Sequence, residues 1–287
     1  MLLDTDRLQI TTIEQYRLWR PTLRYLMAVE VHVYAFAMAA NVLLSFFPLL
    51  IVMVSLCRHV LEWKAAEQAI FLSLRDFFPK EFEPLFLPYL TWKLPQGMQF
   101  SSLFLLLFTA NGVFEPLEVA LNRAWGISHN RSFLRNQLIS LALILACGAM
   151  VLSSFLLTAV NQQIFTQLFP LGTSNAWFSL VVFKMAALPM TILALFLIYT
   201  VLPNGKVPKL RVFPVAVVVG VLLEVLKYLN LLTWPLLNKK LEKEMGPFVH
   251  STSIILWAFM ASMIVLAGAH WAAQRPVAPP EETPSPS

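Results

Sequence analysis

The chain alternates long apolar runs with short polar segments. About 20 mostly apolar residues suffice for a helix to cross the hydrocarbon core of a bilayer, and six runs approach or exceed that length. The pattern predicts an all-α fold, a polytopic α-helical membrane bundle with six transmembrane helices plus amphipathic interfacial helices. The runs are Met27–Leu56, Phe100–Leu121, Leu138–Val160, Trp177–Leu202, Val212–Trp234 and Thr252–Ala273.

Three segments outside these runs have patterns of their own. Residues 1–26 mix apolar side chains with arginines, which predicts an amphipathic helix on the cytoplasmic leaflet, with a solvated arm as the alternative. Residues 57–99 have helical periodicity and are then divided by four prolines, so we expect an amphipathic external hairpin, either a lid over a vestibule or simple packing. Residues 276–287 form a Pro-rich tail that we expect to be disordered, which leaves residues 27–275 as the transmembrane domain.

Composition agrees with the run lengths. The chain is 58% hydrophobic and 13% charged, whereas soluble domains have roughly 45–50% apolar and about 25% charged residues. Residues 1–26 lack the short apolar core of a signal peptide, so we expect the first span to be retained. A soluble globular protein is excluded.

The distribution of Lys and Arg predicts the orientation. With a cytoplasmic N-terminus, the inner segments hold eleven of these residues and the outer segments hold eight, most of the latter in long loops that also contain acids. Short loops carry most of the orienting signal. Both termini are therefore expected in the cytoplasm.

Polar side chains interrupt three of the runs. Asn111, Glu115, Glu118 and Asn122 follow a helical spacing that puts them in one narrow stripe, and two carboxylates on one face are costly in lipid. The first span carries a similar stripe with Pro48, which removes a backbone hydrogen bond and predicts a kink. The set predicted to line a polar cavity is Glu30, Asn41, Ser45, Pro48, Asn111, Glu115, Glu118, Asn122, Glu224 and Lys227.

Blander explanations exist for each group. Asn41 and Ser45 can serve interhelical hydrogen bonding, which is common in bundles. Glu115 and Glu118 can pair with the neighbouring basic loop and anchor it. Glu224 and Lys227, at i and i+3 near mid-membrane, can neutralise each other, although charges at that depth cost about 2.5–3.5 kcal/mol each on insertion scales.

The motifs of common enzyme classes are missing from the sequence. It has no Walker loop, HExxH, GxSxG or dinucleotide fingerprint, and its five histidines have no metal-ligand spacing. We therefore predict no catalytic residues, no cofactor, no metal and no nucleic-acid partner, so the protein is not expected to be an enzyme.

Four stretches in order resemble the YihY/BrkB family of bacterial inner-membrane proteins: ANVLLSFFPLLIVMVSL, ALNRAWGISHNRSFLRNQL, LPNGKVPK and GPFV…LWAFMASMIVLAGA. The resemblance covers about residues 25 to 275 and implies a six-span inner-membrane protein with cytoplasmic termini. The family was once labelled a tRNA-processing ribonuclease, a label since regarded as misassigned. Its members are also called virulence or serum-resistance factors, and lipid or small-solute transport has been proposed for some. Where relatives often have Gly-Ala-Glu, this chain has Gly268, Ala269 and His270, so a role for that family carboxylate is not carried over.

Two functions remain open. In the first, spans one, two and five line a cavity that accommodates or moves a lipid or small amphipathic solute. In the second, the protein is a non-catalytic envelope scaffold or assembly partner; a ribonuclease is least expected. The expected partners are membrane lipids, with a homo-oligomer or an envelope protein left open. The basic residues predicted to contact lipid headgroups are Arg123, Arg131, Arg135, Lys206, Lys209 and Arg211.

Overall fold

The computed structural model describes residues 20–91, 96–128, 131–168 and 176–274, and this part of the chain is helical with no strands. The prediction of an all-α fold is confirmed. Most of the predicted N-terminal segment (residues 1–19) and the tail 276–287 lie outside the described residues, while residues 20–26 are helical.

Each of the six apolar runs coincides with a helix to within two residues or lies inside one, and the helix ends fall within a few residues of the runs except in the two longest helices, α6 and α8. After α1 (residues 20–26), the long helices are α2 (Val29–His59), α5 (Gln96–Ala124), α6 (Phe133–Leu168), α7 (Ala176–Val201), α8 (Lys209–Met245) and α9 (Val249–Ala273). By length and mean hydropathy, four segments of the described chain are candidate membrane spans: Val29–His59, Phe100–Ala124, Leu134–Ser154 and Lys209–Ala273. The last includes both α8 and α9, and the described part of α7 contributes a shorter apolar helix, Leu188–Val201.

The segment between the first two long helices is a helical hairpin. It consists of α3 (Lys64–Phe77), a 3-10 turn (Lys80–Phe82) and α4 (Glu83–Thr91). Phe78 is extended, as expected for a residue before proline, and this ends α3. Pro79 separates the two helices as predicted, whereas Pro84 and Pro88 lie within α4 and do not divide it.

Six long helices pack side by side in a closed ring of neighbours, in the order α2, α5, α6, α7, α8, α9 and back to α2. Local backbone chemistry sets the break between α8 and α9. Gly246 ends α8 with a positive φ of 52°, a conformation that favours glycine, and Pro247 follows it. α2, in contrast, continues through Pro48 as one helix.

The ring has two ends, which we name by what lies there. The loop end contains residues 124–128, 131–132 and 202–208, and the hairpin end contains α3, α4 and the α8–α9 break. Each half of the bundle has its own apolar core. The loop half is centred on Leu121, Tyr199 and Leu266, and the hairpin half on Phe82, Phe86 and Trp234.

Candidate functional site

A cavity of about 390 Å³ lies in the hairpin half, between α7, α8 and α9. Its volume falls within the range of roughly 300–1,000 Å³ typical of ligand pockets. The end of α3 borders it through Phe77 and Phe78, and α2 contributes Val42. The remaining lining residues are Thr191, Gly220, Leu223, Glu224, Leu226, Lys227, Asn230, Ser253, Ile254, Trp257, Ala258 and Ala261.

An ion pair on α8 is the charged part of this lining. Lys227 Nζ lies 2.5 Å from Glu224 Oε1, and the Lys227 side chain is 4% exposed whereas that of Glu224 is 29% exposed. The ammonium also lies 4.9 Å from the centroid of the Phe77 ring and 5.0 Å from that of Tyr228. The lysine is thus enclosed by its carboxylate and two aromatic rings, which stabilise an ammonium where water is scarce, and the carboxylate is the more accessible partner.

Two further polar groups belong to residues that line the cavity. Asn230 Nδ2 donates to the carbonyl of Phe77 at 3.5 Å, while its Oδ1 is buried. Neither Asn230 Oδ1 nor Trp257 Nε1 has a hydrogen-bond partner among the described residues. A buried polar atom left unpaired costs about 1–3 kcal/mol, so a polar group placed near either atom could stabilise it.

The hairpin borders this cavity through the end of α3 and is held against α8 and α9. Trp234 Nε1 donates to Glu81 Oε2 at 2.9 Å, and His250 Nε2 lies 3.2 Å from the carbonyl oxygen of Glu81. Phe82 packs against the rings of Trp234 and His250. The hairpin is therefore held in place beside the cavity by polar and aromatic contacts together.

Of the residues predicted to share one polar cavity, only Glu224 and Lys227 line this one. The first-span set has other partners: Asn41 Nδ2 donates to the Ala37 carbonyl at 2.9 Å, and Ser45 Oγ donates to the Asn41 carbonyl at 2.8 Å. Glu30 pairs with Arg123 at the loop end, where both side chains are exposed. A single cavity lined by polar residues of spans one, two and five stays a prediction, and among the predicted residues this cavity includes the span-five pair.

The polar face of α2 packs closely against α5 where Asn41 meets Gly112. A Cβ at Gly112 would overlap the side-chain amide of Asn41, so the glycine provides the space that this amide occupies. Small residues allow such contact between membrane helices. The adjacent Asn111 is half-buried, and its Oδ1 has no hydrogen-bond partner in the described chain.

The predicted stripe on α5 is divided by burial. Glu115 is exposed, whereas Glu118 is buried at 6% exposure. Asn122 Nδ2 lies 3.5 Å from Glu118 Oε1, and Asn122 Oδ1 accepts from the backbone N–H of Asn204 at 2.7 Å. Asn122, at the end of the stripe near the loop end, thus holds the 202–208 loop against α5.

Arg131 completes this docking. Its guanidinium donates to the carbonyls of Val201, Leu202 and Pro203 at 3.3, 3.2 and 2.5 Å, at the end of α7. Cationic donors suit the C-terminal carbonyls of a helix. Burial lowers the pKa of Arg131, and the nearby Glu118 carboxylate opposes that shift. Ion pairing between the stripe and the basic loop stays a prediction, with the Glu118 carboxylate near Arg131.

The remaining basic residues predicted to meet headgroups are on the surface of the loop end. Arg123, Arg135, Lys206, Lys209 and Arg211 are all exposed. Within residues 20–91, 96–128, 131–168 and 176–274, no group of three or more His, Cys, Asp or Glu could hold a metal ion.

Sequence reasoning missed Asn230, Trp257 and the contacts of His270. Asn230 follows Lys227 by three residues, so helical spacing could have placed it on the same face. His270 stacks on Tyr25 with ring centroids 4.3 Å apart, and the neighbouring Gln274 Nε2 donates to Thr22 Oγ1 at 2.7 Å. The ring of His270 thus helps to dock α1 against α9.

These features define a helical protein with several helices long and apolar enough to cross a membrane, and with an ion pair on the wall of a cavity between α7, α8 and α9. The family model described as Virulence factor BrkB matches residues 22–286, and the chain belongs to that family. Comparison with curated proteins and with solved structures found no match.

Proposed function

We propose that this protein is an inner-membrane protein with six spans and cytoplasmic termini. The closed ring of six long helices supports the span count. Charge supports the orientation. In the described chain, the loop end and the adjoining helix ends have eight Arg and Lys residues against three glutamates: Arg20, Arg24, Arg123, Arg131, Arg135, Lys206, Lys209 and Arg211 against Glu30, Glu115 and Glu118. The hairpin end and its adjoining helix ends have seven of each sign: Arg58, Lys64, Arg75, Lys80, Lys239, Lys240 and Lys243 against Glu62, Glu67, Asp76, Glu81, Glu83, Glu242 and Glu244. An excess of positive charge is typical of the cytoplasmic side.

Within that membrane, the protein accommodates or moves a lipid or a small amphipathic solute through the α7–α8–α9 cavity. The observation that carries this proposal is the Glu224–Lys227 pair on the wall of an otherwise mostly apolar space of about 390 Å³. Replacing a buried ion pair by apolar residues is often neutral or stabilising, so packing alone does not require these charges. Ionisable groups near mid-membrane are typical of substrate pathways.

The exposed basic residues of the loop end would hold the protein against anionic headgroups. Each Lys or Arg near such a surface contributes about 1 kcal/mol of attraction. This role is supported by the exposure of four basic side chains: Arg135, Lys206, Lys209 and Arg211. Arg131 is the exception, because its guanidinium is used by the end of α7.

The test is transport in proteoliposomes that contain fluorescently labelled lipids. Glu224→Gln removes the charge from the pair while keeping the size of the side chain, and we expect it to reduce lipid movement roughly tenfold, the effect of about 1.4 kcal/mol on a barrier. Glu242→Gln is the matched control because Glu242 is exposed on the same helix. Equal flux in both variants and in the unmodified protein, with equal incorporation, would refute the proposal.

The loop-end docking supports a second candidate, a non-catalytic envelope scaffold. Asn122 and Arg131 use their polar groups to hold the bundle together rather than to face a ligand. A scaffold would lose thermal stability in the Glu224→Gln variant without any lipid-dependent change, and a stable envelope partner would co-purify with it. Catalysis is not part of either candidate.

A further inference from the structure

The accessible polar group of the cavity is a carboxylate rather than a cation. Glu224 keeps 29% of its side-chain surface exposed, whereas its partner Lys227 keeps 4%. Among the described residues, Lys227 approaches the carboxylate through Oε1. Of the two charged residues that line the cavity, Glu224 is therefore the more accessible.

The surroundings of this carboxylate suit an ammonium. Aromatic faces attract cations when a ring centroid lies within about 6 Å, and Phe77, Phe78 and Trp257 all line the cavity. The protein's own Lys227 ammonium already lies 4.9 Å from the Phe77 centroid. The site thus already stabilises one amine of this chemistry.

The rest of the lining suits an apolar body. Leu223, Leu226 and Ile254 border the same space, so an aliphatic tail can lie against apolar side chains there. An anionic head would be repelled by Glu224 and would reach Lys227 only past it. A neutral hydroxyl could donate a hydrogen bond to the carboxylate, but it would gain neither the charge–charge attraction nor the cation–π contacts.

We infer that the cavity binds an amphipathic molecule whose polar end is a protonated aliphatic amine, with Glu224 accepting its hydrogen bond and Phe77 and Trp257 beside it. This inference rests on the proposed function and specifies its ligand class. Lys227 is the internal competitor of the incoming amine for the same carboxylate.

Three probes with one tail test the choice of head: octylammonium, octanol and octanoate. Binding to the protein in nanodiscs is measured by isothermal titration calorimetry, with empty nanodiscs subtracted for partitioning. We expect the affinity order amine, alcohol, carboxylate. Glu224→Gln should weaken octylammonium binding roughly tenfold, about 1.4 kcal/mol, and leave octanol unchanged, while Glu242→Gln leaves both unchanged.

Lys227→Met gives a rescue experiment that a purely structural pair would not show. Removing the lysine leaves Glu224 without its cation, so the variant should melt at a lower temperature than the unmodified protein. Octylammonium should restore the melting temperature of Lys227→Met, and octanol should not. In Glu224→Gln, octylammonium should give no stabilisation beyond that of octanol.

Different results would refute the transport proposal and the amine site. Amine-selective binding without lipid or solute flux would overturn the proposed transport and keep the amine site. Equal binding of octylammonium and octanoate, or equal rescue by octylammonium and octanol, would overturn the amine site even if flux depends on Glu224.

Discussion

The arginine that docks the basic loop provides the sharpest test of the fold. Arg131 lies between α5 and α6, and its guanidinium donates to three consecutive carbonyls at the end of α7. A helix leaves its last carbonyls without partners inside the helix. We predict that Arg131→Ala destabilises the bundle although Arg131 belongs to no apolar core.

The size of the effect follows from the three acceptors. A hydrogen bond from a charged donor contributes about 1.5–3 kcal/mol. Val201 is exposed, so water can replace the arginine at its carbonyl, whereas Leu202 and Pro203 are buried. Counting the two buried acceptors at the lower value gives a loss of about 3 kcal/mol.

The assay is thermal unfolding of the purified protein in detergent. Domains of 150–250 residues shift by about 2–4 °C for each kcal/mol, so we expect a decrease of roughly 6–12 °C in Tm. Arg131→Lys should recover part of this loss because an ammonium lacks the planar fork that reaches several acceptors. Arg135→Ala is the control, since Arg135 is exposed in the same segment.

Two results would refute this role of Arg131. If Arg131→Ala and Arg135→Ala melt at the same temperature, the carbonyl contacts do not hold the loop. If Arg131→Lys is as stable as the unmodified protein, the planar guanidinium is not the feature that matters.

Three further predictions concern single contacts. Gly112→Ala should lower the Tm because a Cβ overlaps the amide of Asn41, and adding Asn41→Ala should restore part of the loss, which a double-mutant cycle measures; additive losses would contradict the contact. Arg123→Ala should change the free energy of unfolding by less than about 1 kcal/mol because its pair with Glu30 is exposed; a larger loss by denaturant titration would show otherwise. Burial raises the pKa of Tyr25 to about 12, so stability should fall as pH rises from 10 toward 12, and Tyr25→Phe should remove that part of the alkaline decrease in Tm.

Helix positions could be read from the sequence because they depend on local information. Apolar runs, prolines and the Gly246-Pro247 pair act within a few residues of the chain, and the ends of α7 and α9 differ from the predicted runs by only a few residues.

The candidate site could be predicted only in part. Glu224 and Lys227 were recognised as a pair because their i, i+3 spacing lies within one helix. The cavity beside them needs α7, α9 and the end of α3, and no local pattern specifies which faces of those helices meet. The α5 stripe shows the same limit, because the packing of neighbouring helices, rather than spacing, decides that Glu118 is buried and Glu115 is exposed.

Lys227 links the cavity to the hairpin that closes it. Its ammonium neutralises Glu224 and lies over the ring of Phe77, the last residue of α3. One turn further along α8, Asn230 reaches the carbonyl of the same phenylalanine. A group that takes the place of Lys227 at Glu224 must therefore move the ammonium, and any movement of the ammonium changes its contact with the hairpin. We therefore expect a ligand in the cavity to shift the end of α3 through the contacts of Lys227. The loop end, where Arg131 and Asn122 hold the helices together, would not take part in this shift.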